Sequence, residues 1–132
     1  MDSIQFLTRK EATCQDLLSC LYNLKPTDLQ VFMEVTKKEW TKLDQISEAV
    51  KRDRSSTHRC LAKLQSAGLI HKQSRGLKNG GYYHVYAVVE PSKIKEYAKQ
   101  RVKEITDSLQ TLIDNFDSDI QRHFANKPPV NC

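Results

Sequence analysis

The chain of 132 residues, 39% apolar and 28% charged, has the composition of one globular domain with room for a helical extension. It contains no apolar run long enough to span a membrane and no N-terminal stretch apolar enough for a signal peptide, so we expect a cytoplasmic protein. The net charge is +5, and residues 37–89 hold eleven Lys and Arg against four Asp and Glu. That concentration of positive charge favours a polyanionic partner.

Two helices are predicted before the basic segment. Thr8-x-x-Glu11 has the form of a capping box, so we expect a first helix from there to about Asn23. Pro26 breaks that helix, and Thr27 is placed to cap a second helix whose buried side carries apolar residues at helical spacing. We expect these two helices to pack against the basic segment that follows.

Residues 42–67, KLDQISEAVKRDRSSTHRCLAKLQSA, predict two short helices joined by a tight turn, preceded by a short strand at residues 40–41. Asp53 is placed to cap the second helix by accepting its first backbone N–H groups. The inward stripe of this helix, at three- and four-residue steps, is Thr57, Cys60, Leu61, Leu64 and Ala67. Its outward side is Ser55, Ser56, His58, Arg59, Ala62 and Lys63.

The outward side carries no carboxylate, because the next acidic residue after Asp53 is Glu90. A polar, basic helix face of this kind suits a DNA major groove, where phosphates repel acids and base edges bond to Arg, Ser and His. We expect Arg59 to contact bases, and Ser55 and Ser56 to hold phosphate near the helix N-terminus. Additional cationic contacts with the DNA backbone would come from Lys42, Arg52, Lys63, Arg75 and Lys78. The alternative is an ordinary solvated helix face.

Gly68 is placed to end the second helix in a left-handed conformation. Residues 69–75 and 82–89 then predict two strands, and the glycine-rich residues 76–81 between them predict a turn. Helix-turn-helix, strand, loop and strand is the order of a winged helix, in which the loop is the wing. Cations at 72, 75 and 78 suit a wing that lies along DNA phosphate, although the strands also serve to cover the core.

Pro91 is suited to open a long helix that runs to about Phe124. Its apolar residues follow a heptad seam, namely Ala98, Val102, Ile105, Leu109, Leu112 and Phe116. A helix of roughly 50 Å is hard to bury within one small chain, so we expect the seam to form a homodimer. The competing interpretation is that it packs back onto its own domain. The expected organisation is a DNA-binding domain over 1–90, a dimerisation helix over 91–125 and a tail over 126–132.

These motifs resemble archaeal TrmB-like winged-helix regulators, a group related to MarR and ArsR proteins. The resemblance is carried by NLKPTDLQVFMEV at 23–35, DRSSTHRCLAKLQSAGLI at 53–70 and GGYYHVYAVVEPSKI at 80–94, and it extends over 21–116. It implies a mainly α fold with a small β-hairpin and a transcriptional regulator that binds DNA as a homodimer. The positions that match the groove-facing residues are Arg54, Ser55, Ser56, His58 and Arg59. His58 stands where the family often has Tyr.

Larger members of that family carry a sugar-binding domain after the long helix, and this sequence ends before such a domain could begin, so sugar sensing is not carried over. The functional hypothesis is sequence-specific binding of double-stranded DNA at a pseudo-palindromic operator. One alternative is a winged-helix adaptor that binds proteins without sequence-specific DNA binding. Another is the same regulator with a redox or ligand response. The effector, the operator and the sign of regulation are not specified by the sequence.

Cysteine and histidine spacing argues against a metal site and against a disulfide within the chain. Cys14 and Cys20 would lie about 9 Å apart along one helix, beyond the roughly 7 Å that a disulfide tolerates. We expect buried, reduced thiols at Cys14, Cys20 and Cys60, no metal and no cofactor, with Cys132 able to link two chains. The glycine-rich loop lacks the G-K-[ST] ending of a phosphate-binding loop, and no nucleophile has an evident base beside it, so we do not expect an enzyme.

Overall fold

The computed structural model describes residues 7–126, which are all-helical apart from one small sheet. The chain forms two compact units, Met1–Ala98 and Lys99–Cys132, and the division falls inside a helix. Within the described part, no helix is both long enough and apolar enough to cross a bilayer. The first unit contains the predicted winged helix, and the second contains the end of the long helix.

The N-terminal helices are α1, Cys14–Tyr22, and α2, Pro26–Thr36. The capping box expected at Thr8 lies five residues further along the chain. The Asp16 backbone N–H donates to Thr13 Oγ1 at 3.3 Å, and the Thr13 N–H donates to Asp16 Oδ2 at 2.9 Å. Both predicted starts were wrong: the N-cap of α1 is Thr13 and not Thr8, and the N-cap of α2 is Lys25, two residues before Thr27.

At that start, the backbone N–H of Lys25 donates to Asp28 Oδ2 at 2.8 Å, and Pro26 occupies the first helical position. Proline is favoured there because its missing N–H would have no partner inside the helix. Asn23, at φ +55°, closes the preceding helix in a left-handed conformation. The backbone geometry at Asn23, Lys25 and Pro26 therefore fixes the connection between α1 and α2.

The helix-turn-helix is confirmed as α3, Leu43–Val50, and α4, Arg54–Ser66. Lys51, at φ +57°, makes the sharp turn between them. Asp53 caps α4 as predicted, because its Oδ1 accepts the Ser56 backbone N–H at 3.1 Å. The buried Thr57 hydroxyl donates to the Asp53 carbonyl at 2.9 Å, which ties the inward stripe to the cap.

The sheet has the strand order β1-β3-β2 and is antiparallel throughout. Its strands are β1, Thr41–Lys42, β2, Ile70–Gly76, and β3, Tyr82–Val88. The two long strands form the predicted wing hairpin, with Ile70 opposite Val88 and Gly76 opposite Tyr82. Gly68 has φ +78° and ends α4 in the left-handed conformation that its position predicted.

The core lies where α2, α3 and α4 meet the helix-facing side of the sheet. Burial of these apolar side chains holds the winged helix together and fixes α4 on it. The buried cluster consists of Leu24, Val31, Phe32, Val35, Ile46, Leu61, Leu64, Leu69, Ile70 and Tyr86. The inward stripe of α4 is confirmed at Thr57, Leu61 and Leu64, which have no exposed surface.

The C-terminal helix predicted as one segment is two segments. Helix α5, Pro91–Asp114, ends before Asn115, and α6, Phe116–Asn126, follows. The break coincides with the place where the heptad seam loses its apolar residues in the sequence. In the first unit, Ile94 packs against the winged-helix core, so the first turns of α5 belong to that domain.

Candidate nucleic-acid interface

The outer side of α4 presents the polar, basic surface that the sequence predicted. We call Arg54, Ser55, His58, Arg59 and Ala62 the recognition face, because all five are exposed. Ser56 is half-buried, and its hydroxyl accepts from Arg59 Nη2 at 3.2 Å. This hydrogen bond holds the Arg59 guanidinium along the first turns of the helix, at the end that carries the partial positive charge of the helix dipole.

The only acid at the N-terminus of α4 is the cap itself. Hydrogen bonds from the Ser56 hydroxyl and backbone N–H lower the pKa of Asp53 below its ordinary value of 3.8, and Arg59 adds to this. Its carboxylate is therefore charged at neutral pH, and that negative charge interacts with the first backbone N–H groups of α4. Arg54 is paired with Asp44 of α3, with Arg54 Nη1 2.9 Å from Asp44 Oδ1 and both side chains about two-thirds exposed.

Lys63 does not behave as the predicted phosphate contact. Its ammonium donates to Asp28 Oδ2 at 2.8 Å and to the Asn23 carbonyl at 2.7 Å, and only 35% of its side chain is exposed. Burial acts to raise the pKa of Asp28, but hydrogen bonds from Lys63, the Lys25 N–H and Cys60 outweigh it and leave the pKa lowered. We therefore assign Lys63 to the packing of α4 against α2 and leave it out of the interface.

Cys60 lies beside this ion pair. Burial raises the pKa of the Cys60 thiol, and the neighbouring Asp28 carboxylate raises it further. A reactive cysteine needs the opposite shift, because the thiolate is the nucleophile. Cys14, Cys20 and Cys60 are free thiols, but the expected burial is wrong, because Cys14 is exposed and the other two are half-buried. Cys132 lies outside the described residues. Among residues 7–126, no three His, Cys, Asp or Glu side chains group as metal ligands.

The wing turn is built as its glycines require. Gly80 and Gly81 both have positive φ, and the Leu77 N–H donates to the Gly81 carbonyl at 3.1 Å to close the loop. Lys78 lies exposed in this turn. Arg75 differs from expectation, because its guanidinium stacks over the Trp40 ring at 5.2 Å and donates to Gln73 Oε1 at 3.3 Å. The stack and the contact with Gln73 hold the guanidinium on the Trp40 side of the hairpin.

The structure also places wing residues beside α4 that the sequence analysis did not single out. A cleft of about 350 Å³ separates the first turns of α4 from β3. We call it the wing cleft, and its lining is Lys42, Leu43, Asp44, Arg54, His58, Tyr82, Tyr83, His84 and Tyr86. Tyr82 and His84 belong to the strand face that looks toward α4, and the period-two alternation of β3 was the signal that could have identified them.

In the second unit, the predicted seam is exposed apolar surface. The most exposed apolar residues there are Val102, Leu109, Leu112, Ile113 and Phe116. Ile113 was not among the predicted seam residues, although it lies one turn from Leu109. Ile105 is half-buried, and Ala98, at the end of the first unit, is also half-buried.

Comparison with known proteins agrees with this architecture. A possible transcriptional regulator from Methanosarcina mazei Go1 has the same fold, with a TM-score of 0.70 and 22% identity over 81% of this chain and 93% of that one. The ST1889 protein of the archaeon Sulfolobus tokodaii also shares the fold, with a TM-score of 0.59 and 16% identity over 72% of this chain and 93% of that one.

Sequence relatives are also archaeal. An uncharacterised protein of Methanocaldococcus jannaschii is 27% identical over 116 residues, which cover 86% of this chain and 88% of the relative. The family model described as sugar-specific transcriptional regulator TrmB matches residues 18–92, from the end of α1 to the start of α5. That match includes the helix-turn-helix and the wing hairpin, and it is longer than half of the chain. The chain therefore belongs to the TrmB family of transcriptional regulators.

Proposed function

We propose that this protein is a homodimer that binds double-stranded DNA sequence-specifically at a pseudo-palindromic operator. The observation that carries the proposal is the exposed, acid-free recognition face of α4, held on a buried core and capped at its N-terminus. Major-groove base edges accept bidentate hydrogen bonds from arginine, and guanine is the preferred partner. Arg59 is the residue of this face best placed to read a base. Ser55 and the helix N-terminus suit a phosphate.

Cationic side chains at both ends of this surface can contact the phosphates of the DNA backbone. Lys42 precedes α3, Arg52 lies in the turn between α3 and α4, and Lys78 lies at the wing tip. Arg75 joins them once it leaves Trp40. Each neutralised phosphate releases condensed counterions, so these residues contribute affinity that falls with salt and carries no sequence information.

Binding titrations of genomic fragments at several salt concentrations test the assignment of base and phosphate contacts. We expect Arg59→Ala to reduce discrimination between operator and unrelated DNA by about 1–3 kcal/mol, because one bidentate base contact is lost. Arg59→Lys is the matched variant, since it keeps the charge and loses the planar fork. Lys78→Ala should weaken all sequences alike and reduce the salt slope by about one.

Unchanged operator preference in both Arg59 variants would show that another residue reads the site. Absence of DNA binding even at low salt, with a stable heteromeric protein partner, would instead favour a winged-helix adaptor. These outcomes separate an error in one residue from an error in the function.

The exposed apolar seam of the second unit supports the homodimer. Leu112 and Ile113 lie three and four residues after Leu109, and Phe116 lies three and four residues after those two. About half or more of the side chain of Leu112, Ile113 and Phe116 is exposed. A contiguous apolar stripe of this kind marks an interaction surface more often than a solvated one. A second copy of the same helix offers a complementary seam, and two-fold pairing would present two α4 helices to half-sites roughly 34 Å apart.

Sedimentation of variants tests the dimer. Leu112→Glu places a charge in the seam and should convert the dimer to a monomer at micromolar concentration, because burying an unpaired carboxylate costs several kcal/mol. Thr111→Glu adds the same charge on the opposite side of the helix and should leave the dimer intact. A monomeric wild-type protein, or equal behaviour of the two variants, would contradict the assignment of this seam.

A further inference from the structure

We propose that the wing cleft is a binding site for a phosphate group, held between α4 and β3 and separate from base reading by Arg59. The proposal rests on the proposed function where the phosphate is that of a DNA strand. The same chemistry would take a free phosphorylated small molecule, and the experiment below distinguishes these sources. The site is formed within the first unit by residues of four elements, β1, α3, α4 and β3.

Charge and hydrogen-bond donors converge on the cleft. Lys42 and Arg54 bring two permanent cations, and His58 and His84 bring imidazoles that can donate. The sheet register also puts Lys72 on the face of β2 that lies toward α4, opposite Tyr86. Phosphate is recognised by this combination of a guanidinium fork with ammonium and imidazole donors.

The internal contacts leave these donors oriented for an anion. The Ser74 hydroxyl and His84 Nδ1 are 3.1 Å apart, which fixes the imidazole ring on the cleft side of the hairpin. His84 Nε2 then has no hydrogen-bond partner among the residues that the structure describes. Lys42 Nζ lies 4.6 Å from the centre of the Tyr83 ring, on the face of the sheet opposite His84, so Lys42 borders the cleft while Arg54, His58 and His84 supply its donors.

Asp44 is the one acid among the residues that line the cleft, and its carboxylate marks the place where Arg54 binds an oxygen anion. Its Oδ1 lies 2.9 Å from Arg54 Nη1, at a position where the guanidinium can donate to an oxygen anion. Both side chains are mostly exposed, so a phosphate oxygen can replace the carboxylate without opening the core. Asp44 therefore competes with the ligand for Arg54 and weakens phosphate binding.

The size of the cleft indicates what accompanies the phosphate. A volume of about 350 Å³ lies at the lower end of the range for small-molecule sites, so a phosphate with an attached sugar fits better than the bare anion. The tyrosines offer hydroxyl groups and ring faces to the sugar, with Tyr82 the most exposed of them. A nucleotide unit of a DNA strand and a free sugar phosphate share this chemistry.

The test follows imidazole NMR signals during titration with inorganic phosphate, with ribose 5-phosphate and with duplex DNA. With all three titrants we expect the His84 signals to shift. With inorganic phosphate and ribose 5-phosphate, the signals of His71, on the opposite face of the same hairpin, should stay unchanged. Shifts with DNA and only weak shifts with the small molecules assign the phosphate to the DNA backbone. Shifts with ribose 5-phosphate at low concentration, together with loss of DNA affinity, assign a free phosphorylated ligand.

Variants measure the contribution to binding. His84→Gln keeps a partner for Ser74 and should lower affinity for the phosphate source roughly tenfold, because the hydrogen bond from the imidazole to the phosphate is lost. His71→Gln is the matched control and should change affinity less than twofold. Asp44→Asn should raise affinity roughly fivefold by removing the competing carboxylate.

The outcomes separate this inference from the proposed function. DNA binding that depends on Arg59 but leaves the His84 signals and the His84→Gln affinity unchanged would overturn the cleft site alone. Absence of DNA binding, with His84 shifts on adding ribose 5-phosphate, would overturn the DNA proposal and keep the cleft site. No shift with any of the three titrants would overturn the cleft site.

Discussion

The ion pair between Asp28 and Lys63 gives a sharp test of which lysines hold the fold and which are free to bind. Lys63→Met keeps the length of the side chain and removes its charge. The Asp28 carboxylate, 6% exposed, then keeps the Lys25 N–H but loses its ammonium partner. Breaking a fully buried pair by removing one partner costs about 3–5 kcal/mol.

Lys63 retains 35% exposure, which screens part of the interaction, so we expect a loss of about 2 kcal/mol in the free energy of unfolding. For a unit of this size, that corresponds to a decrease of roughly 10 °C in Tm. The double variant with Asp28→Asn should recover part of the loss, since no buried charge is then left unpaired.

The pH dependence of the same variant follows from the lowered pKa of Asp28. A carboxyl whose pKa is lower in the folded state stabilises the protein above its unfolded value, here 3.8, and loses that contribution as the pH falls through the folded pKa. The Tm difference between wild type and Lys63→Met should therefore be full at pH 6 and should narrow below about pH 4.

Calorimetry between pH 3 and 7 measures both quantities, and a DNA titration of the same variant separates the two roles of the lysine. We expect Lys63→Met to leave the salt slope unchanged, in contrast to Lys78→Ala. A variant with wild-type Tm and a salt slope reduced by about one would refute the reasoning, because Lys63 would then be a phosphate contact as the sequence suggested.

Two further predictions concern the ends of α4. Asp53→Ala should lower Tm and Asp53→Asn should lower it much less, because asparagine still accepts the Ser56 N–H; equal losses would point to charge rather than capping. Gly68→Ala should lower the free energy of unfolding, measured by chemical denaturation, by about 1–2 kcal/mol, because φ is +78° and the new Cβ would lie 3.1 Å from the Tyr97 ring. An unchanged free energy of unfolding would show that this turn relaxes freely.

The winged helix could be predicted from local signals in the sequence. Asp53 before a polar helix, Gly68 after it and two β-rich runs around a glycine-rich turn each act within a few residues. Their order along the chain then leaves few arrangements. The inward stripe of α4 follows from the same periodicity, which is why Thr57 and Leu61 lie in the core as expected.

The errors arose where contacts are distant or local signals compete. Lys63 and Asp28 are 35 residues apart, so nothing near either residue reveals their pairing. Thr8 and Thr13 both begin a sequence of capping-box form, and the second one, with Asp16, is the one used. Local sequence alone does not decide which box begins the helix, because each can satisfy the same number of backbone N–H donors at its own position.

The candidate site shows the same limit. The outward residues of α4 could be identified from the helical period, but Tyr82 and His84 become neighbours of Arg54 only when the hairpin folds against that helix. The stacking of Arg75 on Trp40 is another contact between separate elements. Residues on one helix are therefore easier to predict than a site that two elements share.

That stack has a practical consequence. Trp40 is the single tryptophan of the chain, with Arg75 over its ring and the His71 imidazole edge-on at 5.2 Å. Any ligand that draws Arg75 away changes the electronic surroundings of the only indole fluorophore. The protein thus carries an intrinsic optical probe at the base of its hairpin, and stopped-flow emission can time the hairpin's rearrangement without an attached dye.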